Sequence, residues 1–178
     1  MRAILSTSRS YAARRGFTLI EILSVVVILG IVSAMIIPQL GTHDDSKVAS
    51  AARAMMADII YAQNSAVSKQ QMFYVVFDKT NNKYDLASSV TPQTIITHPV
   101  TMNNYEQVFG VAPLDGVSMS SVSFDGKTTL GFDSLGVPYS VDLAGIKQTL
   151  NSGSVVVSAK NASLTVSVLP YSGEVKIQ

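Results

Sequence analysis

The sequence predicts an α+β fold, on three observations. A continuous apolar run starts at Phe17, an amphipathic helical pattern follows it, and from Met72 onward short β-type segments alternate with turn residues. Helical signals come first and strand signals after, a segregated order in which helices pack on an antiparallel sheet. With 178 residues the chain suits one domain and an appendage, and is too short for a (β/α)₈ barrel. Its 47% hydrophobic content rules out a disordered chain. The balance of 13 Lys+Arg against 12 Asp+Glu, a formal charge of +1, argues against a protein that coats nucleic acid. The absence of Cys removes disulfides, thiolate metal sites and Cys nucleophiles together. His43 and His98 are the only histidines and leave little for a metal site or a His-based relay. A mean hydropathy of +0.31 at 14% charged residues then requires a local concentration of apolar residues.

That concentration is N-terminal. Residues 1–16 carry Arg2, Arg9, Arg14 and Arg15 and no acid, and Phe17 to Ile37 is apolar apart from Glu21 and a few small residues. As a helix that run reaches roughly 30 Å, enough to cross a bilayer core. Arg14 and Arg15 at its start place the N-terminus in the cytoplasm and the remainder outside. Three readings fit these features. Val32-Ser33-Ala34 offers a signal-peptidase site, which would release a soluble exported β-domain protein after Ala34. Arg14-Arg15 before an apolar run suits a twin-arginine signal. The third reading is a segment that is kept and used.

Glu21 separates them. A carboxylate at the centre of a bilayer costs on the order of 2.5–3.5 kcal/mol, less near the edge. A disposable signal gains nothing from it, so Glu21 is either a functional acid awaiting a partner or a residue close enough to the interface to snorkel. The string Gly16-Phe17-Thr18-Leu19-Ile20-Glu21 resembles the processing site of type IV prepilins and type II secretion pseudopilins: a basic leader ending in Gly, an N-methylated apolar residue, and Glu as the fifth mature residue. Gly30 and Pro38 fall at the fourteenth and twenty-second mature positions, where pilins commonly carry Gly and Pro.

The resemblance implies a leader at 1–16, cleavage by prepilin peptidase between Gly16 and Phe17, and methylation of Phe17. It implies a transmembrane and filament-core helix over 17–40. In the filament Glu21 of one subunit pairs with the Phe17 amine of a neighbour, and a charge that is costly alone becomes tolerable when paired. Partners implied are the peptidase, other pilin or pseudopilin subunits, the inner-membrane assembly platform and secreted cargo. The chain is expected to be a single-pass bacterial inner-membrane protein whose C-terminal domain is periplasmic. Pro38 lacks an N–H and clashes with the carbonyl of Ala34. Gly30 weakens a helix by about 1 kcal/mol relative to Ala. The stretch between them is either a helix break of the pilin kind or, at Pro38, simply the membrane exit.

A stem helix is expected over 41–71. Val48, Ala51, Ala52, Met55, Ile59, Ala62 and Ala66 mark one face, small enough to approach a sheet, with Lys47, Arg53, Asp58 and Gln63 largely off it. Asp44, Asp45 or Ser46 caps this helix if Gly41 interrupts the chain. The β domain, 72–178, opens with strands at Phe73–Phe77 and Lys83–Ala87 around a turn at 78–82. Residues 88–116 form a variable region with one or two short strands. Val117–Phe124 and Thr128–Phe132 read as a hairpin around Asp125-Gly126, a sequence suited to a primed turn. A second hairpin joins Val155–Ala159 to Leu164–Val168, and Val175 and Ile177 belong to a last short strand. Three segments here resemble the GspH/FimT-like minor pseudopilins and minor pilins: Met56–Ala66 leading into Tyr74–Asp78, the turn Phe132-Asp133-Ser134-Leu135-Gly136-Val137-Pro138, and Pro170-Tyr171-Ser172-Gly173-Glu174-Val175. That resemblance implies a long N-terminal helix packed on an antiparallel, β-sandwich-like domain.

Enzyme signatures such as G-x-S-x-G, S-x-x-K and H-E-x-x-H do not occur. The aspartates at 115, 125, 133 and 142 suit turn caps, and no stretch matches the calcium loop of the major pseudopilins, so neither metal nor cofactor is expected. Asn161-Ala162-Ser163 fits a glycosylation sequon, though in a short turn a structural role is preferable. Some FimT-like minor pilins bind DNA in natural transformation through an arginine-rich C-terminal hairpin. Here that stretch is Gly173-Glu174-Val175-Lys176-Ile177-Gln178, without Arg, which speaks against nucleic acid. The expectation is a non-enzymatic minor pseudopilin or minor pilin subunit. Without the four leader arginines, nine basic residues face 12 acids, a charge of −3.

Overall fold

The computed structural model describes residues 16–36 and 44–178. The chain divides into two compact units, 1–42 and 43–178. In the first, helix α1 (Leu19–Ile36) contains Glu21 as its one acid and is apolar on every side. Among the described residues no helix is long and apolar enough to cross a membrane. The 18 residues of α1 correspond to about 27 Å, and the helix expected over 17–40 continues beyond it into residues outside the described part. Pro38 lies there, as do Arg14 and Arg15 before residue 16.

The second unit begins with α2 (Asp44–Lys69). Asp44 and Asp45 occupy its first turn, where negative charge suits the helix dipole, and Lys69 its last. All seven positions expected on one face, Val48 through Ala66, are fully buried. Eleven strands follow. The first sheet holds β1 (Phe73–Asp78), β2 (Lys83–Val90), β3 (Gln93–Ile95), β6 (Thr129–Phe132), β7 (Pro138–Val141) and β8 (Lys147–Thr149), in the order β3-β2-β1-β6-β7-β8, with β4 (Glu106–Val108) also paired to β2. The second runs β11-β10-β9-β5, from β5 (Ser118–Phe124), β9 (Gly153–Ala159), β10 (Ala162–Val168) and β11 (Val175–Ile177). Every pairing is antiparallel. The buried face of α2 packs on β1 and β6 of one sheet and on β9, β10 and β11 of the other, giving one core. Phe77 of the first sheet stacks on Phe124 of the second, ring centres 5.3 Å apart.

One expected hairpin is corrected. Asp125 and Gly126 do form the primed turn, with φ of +52° and +82°, but β5 and β6 are not a hairpin pair. Only Phe124 and Lys127 bridge; beyond them β5 joins β9 and β6 joins β1. The turn fixes a local reversal and leaves partner choice to the two sheets. Asp125 helps the separation, because its carboxylate accepts hydrogen bonds from the amides of Asn151 and Ser152 at 2.9 and 3.0 Å. It thereby brings the entry to β9 alongside β5. A Cβ at Gly153 would sit 2.8 Å from the Phe124 ring, so the first residue of β9 must be small.

Candidate processing and docking site at the N-terminus

The residues expected to carry function cluster at the start of α1. Gly16, Phe17 and Thr18 are outside the helix and exposed, Phe17 at 79%. Thr18 is the N-cap. Its Oγ1 accepts from the Glu21 amide at 3.3 Å, while Glu21 Oε2 accepts from the Thr18 amide at 3.4 Å. This is a capping box, T-x-x-E, which satisfies two otherwise free amides at the helix start. Thr18 was missed in the sequence as a functional residue, although the T-x-x-E spacing is legible there.

Two consequences follow for the chemistry. The Gly16–Phe17 bond lies in exposed, non-helical backbone just ahead of the cap, and among the described residues nothing lies within 4 Å of where a Gly16 Cβ would be. Among the described residues, the Glu21 carboxylate is engaged by one long bond, from the Thr18 amide of its own chain. Gly30 lies within α1 and is helical, with open space around it.

In the second unit two polar residues expected largely off the apolar face of the stem helix, Asp58 and Gln63, have structural partners. Asp58 accepts from the hydroxyls of Tyr84 at 2.6 Å and Tyr105 at 2.8 Å. Burial pushes its carboxyl above the usual range, opposed by those hydrogen bonds and by His98. Burial and the neighbouring carboxylate push both tyrosine hydroxyls up. Gln63 donates to the carbonyls of Gly136 at 2.9 Å and Ser172 at 3.0 Å. The three segments that resemble GspH/FimT-like proteins therefore meet at one side chain. Gly136 and Gly173 adopt φ of +81° and +67° at this junction, and a Cβ on Gly173 would fall 2.5 Å from Gln63 Nε2. Asp133 closes its turn by accepting from the amides of Leu135 and Val137, each at 2.9 Å.

Comparison with known proteins agrees with both units. The family model described as the prokaryotic N-terminal methylation motif matches residues 11–37. The minor pseudopilin EpsH from the type 2 secretion system of Vibrio cholerae has a similar structure, with TM-score 0.53 and 12% identity over 74% of this chain and 96% of that one. The type IV minor pilin FimU of Pseudomonas aeruginosa matches with TM-score 0.49 and 13% identity over 75% of this chain and 89% of that one. No curated protein matches the chain by sequence. The chain therefore carries a prokaryotic N-terminal methylation motif at its start and, beyond it, a fold similar to that of a minor pseudopilin.

Proposed function

We propose that this chain is a non-enzymatic minor pseudopilin or minor pilin subunit. Residues 1–16 are a leader, removed by prepilin peptidase at the Gly16–Phe17 bond, and Phe17 is then methylated. The mature chain waits in the inner membrane with its β domain in the periplasm. It is drawn into a filament by packing of its apolar helix against other subunits. The observation that carries this reading is the joint presence of an exposed Gly16–Phe17 bond and Glu21 at the start of a helix apolar on every side, on a chain with the pilin fold.

Assembly has a defined electrostatic step in this reading. Cleavage creates an ammonium at Phe17, and Glu21 of the next subunit exchanges a weak bond to its own Thr18 amide for that cation. Charge-assisted hydrogen bonds are roughly twice as strong as neutral ones, so exchange in an apolar filament core favours docking. The Gly30–Pro38 stretch, where a helix is cheaply unwound, is the part expected to extend in the filament. Mass spectrometry of the mature N-terminus tests the processing: methyl-Phe17 supports it, and a start at Met35 ends it. Glu21→Ala is expected to leave membrane insertion and cleavage intact and to lower the fraction of subunit recovered in sheared or cross-linked filaments. Wild-type recovery of that variant would refute the docking role.

A further inference from the structure

The connection from β3 to β4 closes on a histidine ring. Nδ1 of His98 accepts hydrogen bonds from the amides of Val100 at 3.1 Å and Thr101 at 3.2 Å. Pro99, which follows His98, has no N–H and cannot compete for that nitrogen. Main-chain bonds complete the turn: the His98 amide donates to the carbonyl of Asn103 at 2.8 Å, and the Met102 amide to that of His98 at 3.0 Å. Thr97 and Asn104 bridge at its base. A ring nitrogen that accepts from two amides carries no hydrogen, so the imidazole proton sits on Nε2 and the ring bears no charge.

The other side of the ring is anchored to the core. His98 is half-buried, and its ring packs on that of Tyr105 with centres 4.4 Å apart. Tyr105 is itself buried and donates to Asp58 of α2 at 2.8 Å, and its ring centre lies 5.4 Å from that of Tyr61, also of α2. The Asp58 carboxyl feels the charge state of His98. Glu106, next along the chain from Tyr105, is held by Lys83. The imidazole therefore ties a surface turn to a buried tyrosine. The tip of that turn presents two largely exposed apolar side chains, Val100 and Met102.

We propose that His98 is a pH switch for this turn: the uncharged imidazole holds the tip in one conformation, and protonation releases it. A proton taken from solvent goes onto Nδ1 and converts the acceptor into a donor. Two amides and a ring N–H then point at one another, an arrangement with three donors and no acceptor. Turning the ring away would give up its packing on Tyr105, so the tip is the part that yields. Val100 and Thr101 lose their hydrogen bonds to water, while the Thr97–Asn104 bridge keeps the base of the turn in place. Val100 and Met102 are accordingly presented in a fixed arrangement in neutral medium and in a loose one in acid. The switch stands apart from the filament reading, and its test does not depend on assembly.

The test is an NMR titration of the full chain in detergent micelles from pH 8 to pH 5, the range in which imidazoles gain their charge. The amide signals of Val100 and Thr101 are expected to move with the same midpoint as the His98 ring. Their protection from hydrogen exchange, corrected for the intrinsic effect of pH, should fall about fivefold or more. His98→Asn puts an acceptor oxygen where Nδ1 stood and is expected to keep that protection at both ends of the range. His98→Leu should lack it at both. In Asp58→Asn the coupled change should persist, which separates it from titration of Asp58. Ring nitrogen shifts that place the proton on Nδ1 at pH 8 would overturn the proposal. So would amides that stay still while the ring titrates, or a change that vanishes in Asp58→Asn. Should a variant fail to fold, the wild-type titration alone decides.

Discussion

The two helices of this chain are opposites in how they satisfy their side chains. In α2, apolar residues lie on one face and are buried by the protein's own sheets, and polar residues such as Asp58 and Gln63 find partners across the fold. In α1, Leu19, Ile20, Val26, Ile28, Leu29 and Ile31 are each at least 58% exposed, and the described residues provide nothing that covers them. A helix that is apolar all round belongs in a large core or in lipid. The second unit is thus complete as a folded object, whereas the first is stable only in an environment supplied from outside.

The same chemical change at matched positions gives the largest expected contrast. Ile59→Ala removes a fully buried side chain of α2, and the expected loss is about 2–5 kcal/mol. Ile28→Ala, at a position 60% exposed, should leave thermal unfolding of the β domain within about 0.5 kcal/mol of wild type. Denaturation of both variants in micelles, followed by near-UV signals of the tyrosines, checks this. A comparable loss in the two would show that the units do not fold independently.

Asp58 provides a sharper probe of the second unit. Asp58→Ala strands the hydroxyls of Tyr84 and Tyr105 and is expected to cost about 1–3 kcal/mol. Asp58→Asn keeps a hydrogen-bonding group there and removes the charge. Because burial raises the Asp58 carboxyl, the folded protein keeps that proton to higher pH than the unfolded chain does. This group therefore favours the folded state more as pH falls from neutral towards the ordinary carboxylate range, and less as pH rises. Asp85 acts in the same direction, whereas Asp78 and Asp115, whose carboxyls are lowered by hydrogen bonds to Asn81 and Lys47, lose their contribution as pH falls. The difference between wild type and Asp58→Asn isolates the first effect. The variant's melting temperature should gain less than that of wild type between pH 7 and pH 4.

The smallest effect is expected in α1. Thr18→Ala removes half of the capping box and should fray the first turn by about 1 kcal/mol. Amide exchange at Leu19 to Ile22 should quicken while exchange in α2 stays unchanged. An effect confined to α2 would contradict the assignment of Thr18 as a cap.

Much of this architecture was legible because it rests on periodicity. Burial of Val48 through Ala66 follows from spacing alone, and Gly16-Phe17 with Glu21 stands out because one acid interrupts an apolar run. Strands β7 and β8 were not legible. Pro138–Val141 is short, and Lys147–Thr149 is wholly exposed at a sheet edge, so neither has an alternating apolar signature. The β5–β6 error has the same origin, since Asp125-Gly126 specifies a turn type but carries no information about which strand each arm will join. The roles of Asp58 and Gln63 depend on residues from 26 to 109 positions away, and no local pattern encodes such distances.

The junction at Gln63 has a mechanical meaning. The carbonyl of Gly136 belongs to a turn of the first sheet and that of Ser172 to a turn of the second, and one side-chain amide of α2 is bonded to both. A pull along the axis of α2 is passed to both sheets at that point, through bonds that must shear together. Under such a pull the globular part responds as one body, with Gln63 as the rivet.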